Sequence, residues 1–398
     1  MKAPLMQPRV AMVTFSTRPR GGAVHTLHLA ESLVAQGQPV HIFALGDPEQ
    51  GFSRPTPVPF TICRAPDNDG TLEDKVMRSV HVLAEHLLEV VPGQFDIIHA
   101  QDCIAARAAC AVRDRHPEIE VVRTVHHIDD FSTQALIECQ HRSILDPDHV
   151  LVVSRYWQEV LTDQYGIGST VVTNGVDAAR FTRPAGFDGL PFRSRVGGEK
   201  RVVLLTVGGI EPRKGSLELF EALAEVKAGR ENPPLLVVIG GHSFRDHSAY
   251  RDAALERADE LGLKEGDDYH LLGTVSDEEL AAWYHSADAF VFPSVKEGWG
   301  LAVLEALAAG LPVLTTDIEV FREYLAGDTA VLVPPGDAGS IAAGISKLVD
   351  NPDFRRRLGR SGPGIAARYT WEECAARHIE IYSEVMGAAT TVAKAANN

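Results

Sequence analysis

The sequence predicts an α/β protein of two Rossmann-like domains, each with a doubly wound parallel sheet. Short runs rich in Val, Ile and Phe alternate with helical stretches along the chain, as expected for parallel strands joined by crossover helices. The chain has 398 residues, which is too many for one ordinary hydrophobic core and suits two domains. The halves share this alternation but contain no short repeat, which excludes a solenoid.

Apolar runs in each half are the predicted strands. They are 9–15, 39–45, 96–100, 120–126, 149–153 and 170–173 in the first half, and 202–207, 235–240, 269–272, 289–292, 312–315 and about 330–333 in the second. Residues 182–199, rich in Gly, Pro and Arg and without a clear period, are predicted to be a linker. The predicted domains are therefore 1–185 and 200–368, followed by a last helix at about 371–386. The tail from Gly387 has no bulky apolar anchor and is expected to be loose.

Composition and charge favour a cytoplasmic protein that binds neither nucleic acid nor membranes. Hydrophobic residues make up 45% of the chain and charged residues 23%, which is typical of soluble globular proteins. The N-terminus lacks the apolar stretch of a signal peptide, and no apolar run is long enough to cross a bilayer. The five cysteines are scattered, as expected for reduced thiols. The net charge is −16 and no basic tract occurs, which argues against nucleic acid and against docking on anionic lipid.

The most informative segment lies at residues 289–313 and has the form strand, glycine-broken loop, short helix and helix stop. Its two carboxylates, Glu297 and Glu305, flank the point where the helix begins. The unpaired N–H groups of a helix N-terminus bind anions, and a carboxylate beside them repels an anion unless it binds neutral hydroxyl groups. A diphosphate with a polyol at each end satisfies both conditions, so the segment predicts a nucleotide-sugar site.

This segment resembles the Glu-x7-Glu signature of glycosyltransferase family 4, whose members are retaining enzymes with the two-domain GT-B fold. Similar strings follow one another along nearly the whole chain, at residues 20–22, 96–102, 123–126, 154, 174–177, 180–181, 207–208, 213–215 and 273–280. The resemblance implies two Rossmann-like domains that face each other across a cleft. It also implies that the N-terminal domain binds the acceptor, that the C-terminal domain binds the donor, and that the last helix packs back on the first domain.

The resemblance also implies roles for single residues. Glu297 is expected to bind hydroxyls of the donor sugar and Glu305 the ribose hydroxyls, while Lys214 contacts the diphosphate. Of these, Lys214 and Glu297 are the expected catalytic residues, together with His126. Backbone N–H groups at the helix start take the distal phosphate, and the base rests near the end of a preceding strand. The residues concerned are Gly298, Trp299, Gly300 and Leu301 for the phosphate and Thr274 and Val275 for the base.

Arg213, also expected at the donor, raises a separate question. The family usually carries an arginine five positions before the lysine, and here that position is Gly209. Arg213 can supply the missing charge, in which case an arginine introduced at position 209 partly restores a variant without Arg213. Alternatively, Gly209 is needed for a positive φ angle or for close approach of the sugar, and then any side chain there is harmful.

In the N-terminal half, Gly21 and Gly22 open a helix after the first strand, where they let a phosphate or a sugar approach the backbone. The resemblance supports a role at the donor for these glycines. It also places His126, at the end of a later strand, next to the transferred sugar and near its 6-hydroxyl. Asp129 and Asp130 follow this histidine and are assigned to the acceptor side.

The sequence therefore predicts a retaining glycosyltransferase that moves a sugar from a UDP-, GDP- or ADP-sugar to a hydroxyl of a small or soluble acceptor. Residues 16–27 resemble a bacterial subgroup found among small biosynthetic gene clusters, which favours such an acceptor. The resemblance implies front-face attack, in which the leaving phosphate takes the acceptor proton. A GT-B phosphorylase and a non-catalytic nucleotide-sugar binding protein are the alternatives.

No cofactor and no metal are expected. The chain has no His-Glu-x-x-His string and no Cys/His cluster with metal-ligand spacing. Two Asp-x-Asp strings occur, at residues 67–69 and 146–148, but chance alone gives about as many in so acidic a chain. We therefore expect activity without a divalent cation.

Overall fold

The computed structural model describes residues 7–67, 69–241 and 247–396, and the chain divides into two compact units. The first unit comprises Met1–Gly175 and Trp371–Asn398, and the second comprises Val176–Thr370. Each unit is built on one sheet of parallel strands, as the alternation of apolar runs and helical stretches predicts.

The sheet of the first unit has seven strands in the order β3-β2-β1-β4-β5-β6-β7. Every neighbouring pair is parallel. β1 and β4 are buried along their whole length, which explains why they read as continuous apolar runs instead of alternating ones. The strands are β1 (Val10–Thr14), β2 (Val40–Gly46), β3 (Phe60–Arg64), β4 (Ile97–Ala100), β5 (Glu120–Val125), β6 (His149–Val152) and β7 (Thr170–Val171).

The helices of this unit begin in two different ways. The helices that connect the strands of this sheet are α1 (Gly21–Ala35), α2 (Leu72–Val90), α3 (Cys103–Arg113), α4 (Gln134–Leu145) and α5 (Arg155–Tyr165). In α2 to α5 a side chain before the helix accepts a hydrogen bond from a backbone N–H of the first turn; the capping residues are Thr71, Asp102, Thr133 and Ser154. In α1 the preceding residue, Arg20, makes no such bond, so the first N–H groups of α1 lack a side-chain cap.

The sheet of the second unit has six parallel strands in the order β10-β9-β8-β11-β12-β13. They are β8 (Val203–Val207), β9 (Leu235–Ile239), β10 (Tyr269–Gly273), β11 (Ala289–Phe292), β12 (Val313–Thr316) and β13 (Val331–Val333). The helices are α6 (Ala178–Phe181), α7 (Leu190–Ser194), α8 (Ser216–Lys227), α9 (Ser248–Glu260), α10 (Asp277–Ser286), α11 (Leu301–Ala308), α12 (Glu319–Arg322), α13 (Ala338–Asp350) and α14 (Pro352–Ala366). Apolar side chains from β8, β9, β11, α8 and α13 form the core on one face of this sheet.

The segment predicted as a linker, 182–199, is part of the second unit. The Phe192 ring of α7 lies 5.7 Å from the Trp283 ring of α10. Arg193 Nη1 lies 2.9 Å from a carboxylate oxygen of Asp288, just before β11. Residues 176–185, assigned from the sequence to the first domain, also fall in the second unit. Gly, Pro and Arg mark an irregular backbone, but they do not reveal that aromatic and arginine side chains dock it on one domain.

The last helix, α15 (Trp371–Ala396), belongs to the first unit and packs on α1. The Trp371 ring stacks on the His28 ring at 5.4 Å, and the Tyr382 hydroxyl lies 2.7 Å from Nδ1 of His99 in β4. The predicted helix ended at about 386, and in the structure it continues to Ala396. The tail is rich in alanine, which has the highest helix propensity, so it extends the helix without an apolar anchor.

Candidate functional site

Four glycines follow the carboxyl ends of β8 and β9 and form what we call the ridge of bare backbone. They are Gly208, Gly209, Gly240 and Gly241. Gly208 N donates to the Ile239 carbonyl oxygen at 2.7 Å, which continues the ladder past the last residues of these strands. A Cβ on Gly209 would lie 2.6 Å from the Gly241 carbonyl oxygen, and one on Gly240 would collide with Gly208. A small pocket opens beside the ridge, against Gly208, Gly209 and apolar side chains of β8, β9 and α8. Four glycines thus allow two loops to touch and leave room for a ligand to approach main-chain atoms.

A short 3-10 turn, Pro212–Lys214, follows the ridge and is bound to the loop after β11. The Arg213 carbonyl oxygen accepts a hydrogen bond from Val295 N at 2.8 Å and lies 2.7 Å from the Ser294 hydroxyl oxygen. The turn ends at Gly215, whose φ is +63° and whose missing Cβ would meet the Pro293 carbonyl group. These contacts bring the turn to the Glu-x7-Glu segment, although Arg213 and Ser294 are 81 positions apart in the sequence.

Four ionisable side chains of these two loops, Glu211, Arg213, Lys214 and Glu297, form what we call the charged cluster. Lys214 Nζ lies 2.6 Å from Glu297 Oε1, and Arg213 Nη1 lies 3.2 Å from the same oxygen. Arg213 Nε lies 3.1 Å from an oxygen of Glu211. Two cations thus face two carboxylates, and the cluster is electrically neutral before any ligand binds.

Burial and pairing act in opposite directions on the groups of this cluster. Burial alone would raise the pKa of Glu297, but the charges of Lys214 and Arg213 and hydrogen bonds from Lys214 and Ser294 outweigh it and lower the pKa to about 2. Burial, aided by the neighbouring guanidinium of Arg213, lowers the pKa of Lys214. The Lys214 ammonium group also lies 4.3 Å from the centre of the Phe292 ring. Glu297 therefore stays ionised throughout the neutral range.

The loop from Gly298 to Leu301 is shaped by aromatic packing. Gly300 has φ +86°, and a Cβ there would lie 2.5 Å from the Phe321 ring. The Tyr324 hydroxyl donates to the Trp299 carbonyl oxygen at 2.9 Å, and the Trp299 ring lies 5.1 Å from the Tyr324 ring. Trp299, predicted at the donor, is 2% exposed, so its side chain anchors the loop and only its backbone remains for a ligand. α11 starts after this loop with no side-chain cap, which leaves its first N–H groups available.

Glu305 lies one turn into α11 and has a single hydroxyl neighbour. The Tyr284 hydroxyl donates to Glu305 Oε2 at 2.8 Å and lies 3.2 Å from the Ala302 carbonyl oxygen. Burial raises the pKa of Glu305, and the bond from Tyr284 offsets part of this effect. The two carboxylates of the signature therefore differ, since Glu297 pairs with cations and Glu305 pairs with a neutral phenol. Thr274 and Val275, predicted near the base, follow β10 at the same carboxyl edge of the sheet.

In the first unit, Gly21 and Gly22 form the uncapped start of α1. A Cβ built on either glycine meets no heavy atom within 4 Å. These glycines are therefore not required by packing or by a positive φ angle, and they leave open space over the helix start. The approach of a ligand to the backbone at this point stays a prediction.

Three uncharged side chains, His25, Gln101 and His126, form what we call the imidazole cluster. His126 Nε2 lies 3.2 Å from Gln101 Oε1, and the His25 and His126 rings are 4.5 Å apart. Burial, with His378 nearby, lowers the pKa of His25 to about 3. Burial, with His25 next to it, also holds the pKa of His126 well below its usual value. Gln101 Nε2 is buried and makes no hydrogen bond with the residues that the structure describes.

Asp129 and Asp130 lie on the loop that leads from His126 to α4. The backbone of Asp129 is fixed by Gln140, which accepts from its N–H at 2.8 Å and donates to its carbonyl oxygen at 2.9 Å. An Asp129 carboxylate oxygen lies 3.6 Å from Nε2 of the exposed His127. The structure thus places both aspartates beyond His126 in the same loop, without assigning either a ligand.

The surroundings of Gly209 differ from both explanations given above. Gly209 is not one of the described glycines with a positive φ angle. Backbone strain therefore does not explain why this position carries a glycine. Its Cβ position is blocked by the Gly241 carbonyl oxygen and lies 3.1 Å from a carboxylate oxygen of Glu211. An arginine at position 209 therefore displaces the backbone of the neighbouring loop, and we no longer expect it to restore a variant that lacks Arg213.

The described residues contain no group of three or more His, Cys, Asp and Glu side chains arranged to hold a metal ion. Of the two Asp-x-Asp strings, one includes Asn68, which lies outside the described residues. In the other, Asp146 lies 2.5 Å from Arg107 and Asp148 lies 2.6 Å from Arg113, so both carboxylates serve ion pairs. Within the part of the chain described, no helix has the length and apolar character needed to span a membrane.

The sequence reasoning missed three residues of these clusters. Glu211, His25 and Gln101 all stood in the strings that carried the resemblance or next to them, yet none was given a role. The available signal was weak: Glu211 is an acid two positions before an arginine, and His25 and Gln101 are polar residues beside predicted buried strands. Only the tertiary contacts show that all three are buried.

Comparison with known proteins gives consistent matches to both units. The family model described as "Glycosyltransferase Family 4" matches residues 19–180, and the model "Glycosyl transferases group 1" matches residues 192–364. The phosphatidyl-myo-inositol mannosyltransferase of Mycobacterium leprae is 28% identical over 92% of this chain and 94% of its own length. The D-inositol 3-phosphate glycosyltransferase of Corynebacterium urealyticum is 28% identical over 94% and 95%.

Solved structures resemble the whole chain. Sucrose-phosphate synthase from Thermosynechococcus elongatus superposes with a TM-score of 0.81 at 21% identity, covering 96% of this chain and 100% of that one. HepE of Anabaena, solved with UDP-glucose, gives a TM-score of 0.78 at 18% identity, with 95% and 100% coverage. At this level of identity the likeness shows the fold, which is the one that the sequence predicts.

Proposed function

The chain belongs to glycosyltransferase family 4, and we propose that it transfers a sugar from a nucleotide diphosphate sugar to a hydroxyl group with retention at the anomeric carbon. One observation carries the donor class. The second unit places two cations, Arg213 and Lys214, beside a buried carboxylate and next to a helix start without a side-chain cap. Cations and free N–H groups suit a diphosphate, and the carboxylates suit hydroxyl groups on either side of it.

In the proposed reaction, the bond between the anomeric carbon and the distal phosphate oxygen breaks while the acceptor oxygen bonds to the same face of that carbon. The acceptor proton moves to the leaving phosphate oxygen. Glu297 is a poor candidate for a covalent nucleophile, because Lys214, Arg213 and Ser294 all hydrogen-bond to its Oε1 and lower its basicity. Catalysis then depends on positioning and on charge stabilisation of the leaving diphosphate by Lys214 and Arg213.

The acceptor is, in this proposal, a small or soluble molecule with a free hydroxyl. The imidazole cluster supports it, because uncharged side chains suit the hydroxyls of a sugar or another polyol. The names of two relatives point to a lipid, phosphatidyl-myo-inositol, and to a soluble compound, D-inositol 3-phosphate. The net charge of −16 disfavours an anionic lipid surface and favours the soluble class.

Nucleotide binding and donor cleavage test this function directly. UDP, GDP and ADP are added separately in a thermal unfolding assay, and a nucleotide at 100 times its dissociation constant stabilises the protein by about 2.7 kcal/mol. Cleavage of the matching nucleotide sugars, with water as acceptor, is then followed with and without EDTA. Binding with cleavage that resists EDTA supports the proposal. Failure of all nucleotides to bind contradicts the donor class, and loss of cleavage in EDTA that Mg²⁺ or Mn²⁺ restores contradicts the metal-free mechanism.

A further inference from the structure

One carboxylate of the charged cluster, Glu211, has no part in the roles proposed so far. Glu211 is 6% exposed, and its Oε2 accepts a hydrogen bond from Arg213 Nε at 3.1 Å. Although Glu211 is the residue before the 3-10 turn, its side chain does not cap that turn. Its carboxylate therefore has the guanidinium as its observed partner, and not the backbone donors that an acid in this position usually binds.

The pairing with Glu211 restrains Arg213. A buried carboxylate that loses its partner is strongly destabilised, so the Nε edge of Arg213 is held in place. Arg213 Nη1 lies 3.2 Å from Glu297, while Nη2 makes no hydrogen bond with the residues that the structure describes. The Arg213 side chain is 39% exposed, so an incoming ligand can reach it.

Glu211 also occupies the space where a side chain at position 209 would begin. Its Oε1 lies 3.1 Å from the Cβ position of Gly209, on the ridge of bare backbone. The Gly241 carbonyl oxygen requires a glycine at 209, and the Glu211 carboxylate narrows the space there further. Arg213 can approach the ridge only from the turn, and Glu211 sets the direction of that approach.

We propose that Glu211 is the positioning residue of the phosphate site, and that its carboxylate fixes Arg213 with Nη2 directed to an oxygen of the leaving diphosphate. The inference rests on the proposed function, since it needs a diphosphate ligand. Glu211 touches neither the donor nor the acceptor and acts through Arg213. It makes the guanidinium a preorganised donor at the moment when negative charge builds on the leaving group.

A simpler electrostatic view predicts the opposite change in cleavage rate when Glu211 is removed. If Glu211 were only a negative charge near the phosphates, its removal would strengthen diphosphate binding and speed bond cleavage. If it positions Arg213, its removal slows cleavage even where binding of the free nucleotide is unchanged or tighter. The comparison of cleavage rate with nucleotide affinity therefore separates the two views.

The test uses the full-length protein with Glu211→Gln, Arg213→Ala, Arg213→Lys and the double variant Glu211→Gln/Arg213→Ala. Glu221→Gln is the matched control, because Glu221 lies on α8 and pairs with Arg257 at 3.2 Å outside the cluster. Donor cleavage is measured with the nucleotide sugar that the wild type accepts, and affinity is measured with UDP, GDP or ADP. Urea unfolding midpoints establish that each variant is folded.

We expect Glu211→Gln to slow cleavage about tenfold and to have no further effect in the Arg213→Ala background, since a residue that acts through another loses its effect with it. Arg213→Lys should be as slow as Arg213→Ala, because an ammonium cannot hold Glu211 and a phosphate oxygen at once. An unchanged or faster rate in Glu211→Gln, or losses that add in the double variant, would overturn the inference while leaving the proposed function standing. A wild type that binds no nucleotide and cleaves no donor would contradict both the inference and the proposed function.

Discussion

The imidazole cluster of the first unit and the charged cluster of the second are built by the same rules and carry opposite chemistry. Each lies where parallel strands end, and each adjoins a helix, α1 or α11, that has a glycine at its start and no side-chain cap. In the charged cluster, cations and carboxylates offset burial by pairing, and Glu297 remains ionised. In the imidazole cluster no carboxylate offsets burial, and His25 and His126 are kept neutral. The presence or absence of carboxylate partners therefore decides whether the buried groups of a cluster are charged or neutral.

The largest effect expected is that of Glu297→Gln, which keeps the size of the side chain and removes its charge. We expect donor cleavage to fall by about 10²- to 10³-fold, since the sugar hydroxyls lose an ionised acceptor. The affinity for free UDP, GDP or ADP should stay the same or rise, because the diphosphate no longer competes with Glu297 for Lys214. Initial rates and nucleotide titrations on the variant and on Glu221→Gln check this. A loss of nucleotide affinity as large as the loss of rate would show that Glu297 does not act on the sugar alone.

The next effect tests whether the cations of the charged cluster act in the transition state. Lys214→Ala should lower kcat about 10²-fold and change nucleotide affinity by less than about tenfold, because its charge matters most as the diphosphate leaves. Lys227→Ala is a control, since Lys227 pairs with Asp268 at 2.7 Å near the end of α8, outside the cluster. A higher KM with kcat unchanged would mean that Lys214 contacts only the ground state.

The neutrality of the imidazole cluster predicts a pH dependence of stability. The pKa of His25 is about 3 in the folded chain and 6.5 by its ordinary value, so the unfolded chain binds more protons between these limits. The stabilisation is fully present above pH 6.5 and is lost as the pH falls toward 3, by about 1.4 kcal/mol per pH unit for one such group. Urea unfolding at pH 7 and pH 5 should give a smaller difference for His25→Asn than for the wild type. An identical difference in both would show that His25 is not the buried neutral group described; His127→Asn, at an exposed histidine, controls for the loss of a ring.

The smallest effect expected separates the two carboxylates of the second unit. Glu305→Gln should weaken nucleotide binding about tenfold, roughly 1.4 kcal/mol, because the ribose hydroxyls lose an ionised acceptor. It should also reduce the preference of the protein for a ribonucleotide over its 2′-deoxy analogue. Calorimetric titration with both nucleotides measures this. If Glu305→Gln slows cleavage but binds both nucleotides as the wild type does, the division of roles between Glu297 and Glu305 is wrong.

The sequence by itself determined the class of fold and the family. Strand and helix alternation follows from local side-chain patterns, and Val, Ile and Phe runs mark the buried parallel strands. The sequence missed β3, an edge strand whose side chains are exposed or half-buried, because it has no such run. The Glu-x7-Glu segment was equally readable, because a glycine loop and a helix start need no distant partner to be recognised. The glycines on the ridge could be seen in the sequence, but not the reason for them.

Tertiary structure decided the features that depend on which loops meet. It placed residues 176–199 with the second unit, because aromatic and arginine contacts, not composition, determine where an irregular segment docks. It showed that a Cβ on Gly209 would lie 2.6 Å from the Gly241 carbonyl oxygen, so a side chain at this position displaces the neighbouring loop. It also paired Lys214 with Glu297 at 2.6 Å. Charge state and steric exclusion are properties of neighbours distant in the chain, so only the folded arrangement fixes them.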